Sequence, residues 1–277
     1  MSQLLTVQGL TLRFGGVTAL DDVEFDVGRG ELFAVIGPNG AGKTSILNCL
    51  SCLHRPQQGS IRCQGTEIVG RRPVAAAALG IARTFQNLGL FPNLDVIDNL
   101  MLGRHQRMTT GFLAGALWVG KAKREEVANR RRCEEIVEML ELQHVRHAPV
   151  ASLPYGVQKR VELGRALAMD PDLLLLDEPV AGMNLEETED IARAILEIRA
   201  ELDLAMILVE HDMRLVMDLA DRVLVLDFGR VIAVGPPAAV QSDPRVIEAY
   251  LGRPASDGAG AGAGNAASAE RPERRVS

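Results

Sequence analysis

The eight residues Gly37-Pro38-Asn39-Gly40-Ala41-Gly42-Lys43-Thr44 constrain this chain more than any other feature. They follow the wholly apolar run Leu32–Ile36 and precede Ile46, Leu47 and Leu50, so the pattern predicts a strand, a loop and a helix in succession. The glycines Gly37, Gly40 and Gly42 let successive backbone N–H groups curl round phosphate oxygens, and a helix N-terminus adds its positive dipole. Lys43 is then placed to reach the outer phosphates of a nucleotide, and Thr44 to offer a hydroxyl to Mg²⁺. Further short apolar runs, at residues 4–7, 23–27, 173–176, 206–209, 222–226 and 231–234, alternate with helical patterns. That alternation predicts an α/β fold around a mostly parallel, buried sheet.

The run at 173–176 ends in two carboxylates, Asp177 and Glu178. A buried strand with two acids at its tip can place one beside a metal and the other beside an attacking water, so Asp177 takes the metal and Glu178 the general-base role. Between the two motifs, Leu153-Pro154-Tyr155-Gly156-Val157-Gln158 leads a helix expected to turn Leu163 and Leu167 inward and Arg160 and Arg165 outward. Together with Gln86 in Thr84-Phe85-Gln86-Asn87 and His211 after the strand at 206–209, these motifs stand in the order of an ABC-transporter ATPase subunit. The chain resembles that family over residues 4–251.

The resemblance implies a P-loop ATPase core with a mostly parallel sheet, an N-terminal antiparallel β part and an inserted α-helical subdomain at about residues 87–170, all within an ATPase domain at 1–251. It implies that ATP is held by Gly37, Pro38, Asn39, Gly40, Ala41, Gly42, Lys43, Thr44 and Ser45, with Phe14 stacked on adenine. Mg²⁺ falls to Thr44, Gln86 and Asp177, catalysis to Glu178, His211 and Gln86, and coupling to the membrane subunits to Gln86. His211 would hold the γ-phosphate region, while Tyr155 and Gly156 would complete the ATP site of a second ATPase subunit. Two membrane-spanning permease subunits and a solute-binding protein are the further partners implied, with this chain peripheral on the cytoplasmic face of the cell membrane.

Departures from the family pattern narrow the resemblance. Pro154 stands where serine is usual, Tyr155 where glycine is usual, Val157 where glutamine is usual and Asn184 where aspartate is usual. Tyr155, the Gly182-Met183-Asn184 loop, the long helical insert and Val246-Ile247-Glu248-Ala249-Tyr250-Leu251-Gly252 look like the subgroup serving branched-chain amino acid uptake, in particular its larger ATPase. The implied function is ATP hydrolysis that energises import of branched-chain, hydrophobic amino acids. Urea or amide import is the alternative within the subgroup, and a soluble non-transport ATPase the alternative outside it.

Composition excludes several other classes. With 30 basic against 36 acidic residues and a net charge of −6, the chain has no electrostatic reason to bind nucleic acid. Its longest uncharged stretch, residues 108–120, has 13 residues, short of the roughly 20 that a spanning helix needs. Residues 1–9 read as a strand rather than a secretory leader, and four cysteines are too few for a disulfide scaffold, so a cytosolic setting is expected. Cys49 and Cys52 are expected as small thiols on the helix behind the loop, and His144 and His147 as surface residues. Asp227-Phe228-Gly229 joins two apolar runs and predicts a hairpin turn. The basic cluster of Lys121, Lys123, Arg124, Arg130, Arg131 and Arg132 is expected on a solvated helix face whose apolar stripe includes Val127, Cys133, Ile136, Val137 and Leu140. From Gly252 to Ser277 the only aliphatic residue larger than alanine is Val276, and this composition predicts a disordered tail.

Overall fold

The computed structural model describes residues 3–84, 89–105 and 121–251. Gln86, the apolar stretch at 108–120 and the Ala/Gly-rich tail lie outside them.

Two sheets form the core. Strands β1 (Gln3–Phe14), β2 (Val17–Gly28), β4 (Gln58–Cys63) and β5 (Thr66–Glu67) make an antiparallel sheet of order β2-β1-β4-β5. The second sheet holds β3 (Leu32–Ile36), β6 (Ile81–Arg83), β7 (Leu173–Asp177), β8 (Ala205–Val209), β9 (Arg222–Asp227) and β10 (Arg230–Gly235), in the order β10-β9-β3-β8-β7-β6. All its pairings are parallel except β9 with β10. Strands β3, β7 and β8 are buried at every position, as expected of a parallel sheet covered on both faces. The antiparallel sheet and α1 (Lys43–Leu50) cover one face: Leu5, Leu10, Val23, Ile46 and Leu50 pack with Phe33, Val35 and Leu175. Apart from the short α2 (Pro73–Ala78), the larger helices lie across the other.

That helical side comprises α3 (Val96–Arg104), α4 (Lys121–Met139), α5 (Tyr155–Leu167) and α6 (Leu185–Leu202). Leu100, Ile136, Leu140, Val161 and Leu167 join Leu174 and Leu176 of β7 in one apolar cluster. Cys133, Ile136, Val137 and Leu140 are buried as their spacing predicts, but Val127 is 61% exposed. The basic face of α4 is not wholly solvated either, since Arg132 donates to Asp170 Oδ1 at 2.9 Å. Arg165 also departs from expectation: it is half-buried, burial pulls its guanidinium below the ordinary value, and it donates to the Gly89 carbonyl.

The C-terminal part adds α7 (Met213–Leu219), α8 (Pro237–Gln241) and α9 (Pro244–Leu251). Val216, Val240 and Val246 from these helices pack on Ala34, Ile36, Val223 and Val225. Asp227-Phe228-Gly229 is a hairpin turn between β9 and β10, with φ of 43° at Phe228 and 79° at Gly229. Cys49 lies buried on α1 with its thiol pushed up to about 12 by burial, whereas Cys52 sits just past the helix end. No helix among the described residues is long and apolar enough to cross a membrane.

Candidate active site

The carboxyl ends of three neighbouring strands stand abreast. Val35 of β3 pairs with Val209 of β8, which in turn pairs with Asp177 of β7. Chain leaving this edge therefore carries the phosphate loop, Glu178 and the Glu210-His211 pair side by side, at the position where open parallel sheets bind ligands.

The loop itself is tightly built. Gly42 is the cap of α1 with φ of 107°, and a Cβ there would meet Ala19 O at 2.6 Å, so only glycine fits without displacing β2. Ala41 N donates to Pro38 O at 3.1 Å, and Ala41 O accepts from Gly229 N at 2.9 Å. Lys43 Nζ donates to Gly37 O at 2.7 Å and to Pro38 O at 3.2 Å, which aims the ammonium into the concave side of the loop. Burial lowers the pKa of Lys43, and the nearby Glu178, Asp177 and Glu210 carboxylates oppose that shift.

An open cleft of about 280 Å³ is lined by Val17, Ala19, the loop residues Asn39, Gly40, Ala41, Gly42, Lys43, Thr44 and Ser45, and by Glu178. Glu178 reaches it through a left-handed backbone with φ of 48°, directly after β7 ends, while its N–H stays bonded to Val209 O at 2.9 Å. A non-glycine residue in that region costs energy, which the surrounding hydrogen bonds must sustain, and the turn is what lifts Glu178 away from the strand. Asp177, one residue earlier, remains 3% exposed and its Oδ2 accepts from Arg83 Nη2 at 2.7 Å. Thr84 Oγ1 accepts from Asp177 N at 3.4 Å and so ties the root of the Gln86 segment to the same carboxylate strand.

His211 is 62% exposed in its side chain, with Nδ1 3.6 Å from Glu210 Oε2. Glu210 is fully buried and accepts from the N–H groups of Val180 and His211 at 3.2 and 3.1 Å. Burial raises its pKa against the pull of those two bonds. Phe14 ends β1, 47% exposed, with its ring edge-on to His54 at 5.1 Å between centroids. Tyr155 and Gly156 do not line the cleft. Pro154 caps α5 with φ of −56°, Tyr155 Oη donates to Ala181 O at 3.2 Å, and Gly156 packs against Glu187. Glu187 is itself engaged in the reciprocal capping of α6 by Asn184 at 3.0 and 3.1 Å, the role that fixes Asn184 in this loop.

Hard oxygen donors at Thr44 and Asp177 suit a magnesium ion that takes few protein ligands and completes its shell with phosphates and water. Arg83, Glu210 and Gly229 also belong to the site; in the sequence Arg83 stands three residues before Gln86 and Glu210 directly before His211.

The family sequence model described as ABC transporter matches residues 20–181. A second, described as branched-chain amino acid ATP-binding cassette transporter, matches residues 230–256. The chain is 39% identical over 249 residues to the high-affinity branched-chain amino acid transport ATP-binding protein BraF of Pseudomonas aeruginosa, covering 90% of this chain and 98% of that one. It is 38% identical over 253 residues to the corresponding protein LivG of Escherichia coli K12, covering 91% and 99%. Among solved structures, an ATP-binding cassette of an ABC transporter in its ADP conformation superimposes with a TM-score of 0.79 at 29% identity, covering 91% of this chain and all of that one. The chain belongs to the ABC transporter family, as one of its ATP-binding ATPases.

Proposed function

We propose that this chain hydrolyses ATP to energise import of branched-chain amino acids. The observation that carries the ATPase reading is the cleft in which Glu178 faces residues 39–45 of the phosphate loop. The substrate follows from the likeness over nearly the whole chain to proteins named for branched-chain amino acid transport.

In this reading the loop N–H groups and Lys43 bind the ATP phosphates, Phe14 stacks on adenine and His211 holds the γ-phosphate region. Thr44 and Asp177, with Gln86, hold Mg²⁺, which neutralises phosphate charge when bound. Glu178 accepts a proton from the attacking water, and its left-handed turn puts the carboxylate in the cleft rather than in the sheet. Asp177 would hold the ion through its carboxylate, whose Oδ2 accepts from Arg83 Nη2 at 2.7 Å.

Tyr155 and Gly156, in the first turn of α5, serve the ATP of a second ATPase subunit in this reading. ATP bound between two such chains holds them closed and hydrolysis releases them, and the Gln86 segment passes that motion to two permease subunits. The chain then sits on the inner face of the membrane, and a solute-binding protein delivers the amino acid.

The test is ATP turnover of the assembled transporter in lipid with its solute-binding protein. Leucine, isoleucine or valine is expected to stimulate turnover. Stimulation by urea or short amides, with none by these amino acids, overturns the substrate assignment.

A further inference from the structure

Arg165 sits where α5 meets the chain that enters α3. Its backbone carbonyl faces Gly103 of α3 so closely that a Cβ there would lie 2.3 Å away, and its guanidinium donates to the Gly89 carbonyl. A Cβ at Gly89 would in turn lie 2.9 Å from Arg165 Nη2, so the guanidinium lies directly against that glycine. The same stretch has a second anchor in Asn99 of α3, fully buried, whose Oδ1 accepts from Phe91 N at 2.9 Å and whose Nδ2 donates to Phe91 O at 3.1 Å. Asn99 thus ties residues 89–91 to α3, and Arg165 ties them to α5.

Arg165 also ends a row of polar side chains at helical spacing along α5. Lys159 and Glu162, 4% and 2% exposed, form an ion pair at 3.3 Å, and Lys159 Nζ stands 6.0 Å from the centroid of the Tyr155 ring in the helix's first turn. A small cavity lined by both members of this pair is also lined by Thr84, two residues before Gln86. Burial pulls the pKa of Arg165 down and the Glu162 carboxylate opposes that shift. The row therefore runs from Tyr155 at one end of α5 to the Gly89 carbonyl at the other.

We propose that Arg165 is a positioning residue that locks residues 89–91 to α5, so that a movement of Tyr155 and Gly156 on the nucleotide of a second subunit is passed to the chain entering α3. The proposal rests on the reading of this chain as one of two ATPase subunits that drive a transporter. Gly89 follows Gln86 by three residues, so the movement arrives beside the segment assigned to the permease subunits. Arg165 lies in the last turn of α5, at the opposite end from Tyr155 and Gly156. Its effect belongs to coupling rather than to nucleotide binding or the chemical step.

The test uses the complete transporter in lipid with its solute-binding protein, comparing wild type with Arg165→Met, Gly89→Ala and the double variant. Arg165→Met keeps an apolar stem and removes the guanidinium. Gly89→Ala, at an exposed glycine without a positive φ, displaces the guanidinium from the opposite side. Leucine uptake per ATP hydrolysed is expected to fall about 3- to 10-fold in each single variant, with KM for ATP within about twofold of wild type. The double variant should fall no further than the worse single one, because both substitutions remove the same contact. A wild-type ratio of uptake to hydrolysis in either single variant overturns the proposal, and so does a double variant in which the two losses multiply. Should Arg165→Met fail to fold, Gly89→Ala decides alone. Should the wild-type complex take up no leucine, the transport reading falls, and amide exchange at Leu90 in the purified chain still decides on the clamp: faster exchange in the variants supports it, and unchanged exchange overturns it.

Discussion

Lys43, at the start of α1, and Glu178, just past β7, line one cleft, and substitution separates their roles. Lys43→Ala is expected to abolish measurable ATP binding, whereas Glu178→Gln should bind ATP normally and turn over about 10²- to 10⁴-fold more slowly, the usual contribution of a general base. Equilibrium binding and single-turnover hydrolysis on the same preparations distinguish the two. Glu210 poses a different question, because its carboxyl is fully buried and its pKa is raised above the ordinary 4.5. An acid raised in the folded state contributes stability that is complete below its unfolded value and is lost as pH climbs through the folded one. Glu210→Gln cannot ionise, so its melting temperature should gain on wild type as pH rises from about 4.5 toward neutrality. A gap that stays constant over that range would mean Glu210 is buried without an ionisation cost. Lys43, Asp177 and Glu178 were legible in the sequence because each belongs to a local pattern whose chemistry dictates the fold around it. Arg83 and Glu210 were not, since their partners lie far along the chain or appear only when strands β3, β7 and β8 align.

Among the elements, α3 and α5 cross most closely where Gly103 faces the Arg165 carbonyl, and a Cβ at Gly103 would lie 2.3 Å from that oxygen. Backbone cannot yield there as a side chain could, so Gly103→Ala should cost about 1–3 kcal/mol in urea unfolding despite its better helix propensity. Gly164→Ala meets side-chain methyls of Leu140, Leu100 and Ile136 rather than backbone and should cost less. Just past α5, Asp170 ties α3 to α4, its half-buried carboxylate accepting from both Arg104 and Arg132. Burial raises its pKa, but the two guanidinium bonds outweigh that and hold it below 3.8. Asp170→Asn should therefore destabilise the protein at neutral pH, with the difference vanishing as pH falls through the depressed value. Denaturant midpoints at pH 7 and in acid check the sign. Long apolar runs announced β3, β7, β8 and β9, whereas β4 reads Gln-Gly-Ser-Ile-Arg-Cys and β6 has three residues, too little pattern to be seen without their partners. Val127 departs from its spacing, which says which positions share a face but not which of them a neighbour covers.

At the level of the whole molecule, one sheet edge gathers the phosphate loop, both acids and His211, while Pro154, Tyr155 and Gly156 begin a helix away from that cleft. Pro154 offers neither a hydroxyl nor an N–H, so α5 presents only the N–H groups of its first turn and its dipole to a facing nucleotide. Paired with a different ATPase carrying serine at that position, this chain should make two unequal sites. The faster site would combine its own Lys43 and Glu178 with the partner's signature. Inactivating each phosphate loop in turn within the assembled transporter should then give unequal losses of ATPase activity, and equal losses would remove the role assigned to Pro154. In the proposed function, hydrolysis at Glu178 drives branched-chain amino acid import, and ATP-dependent leucine uptake into vesicles carrying the complete transporter, with wild type against Glu178→Gln, measures it. Uptake is expected with wild type and MgATP, and its loss with the variant although ATP still binds; leucine uptake that persists undiminished with Glu178→Gln would contradict the account.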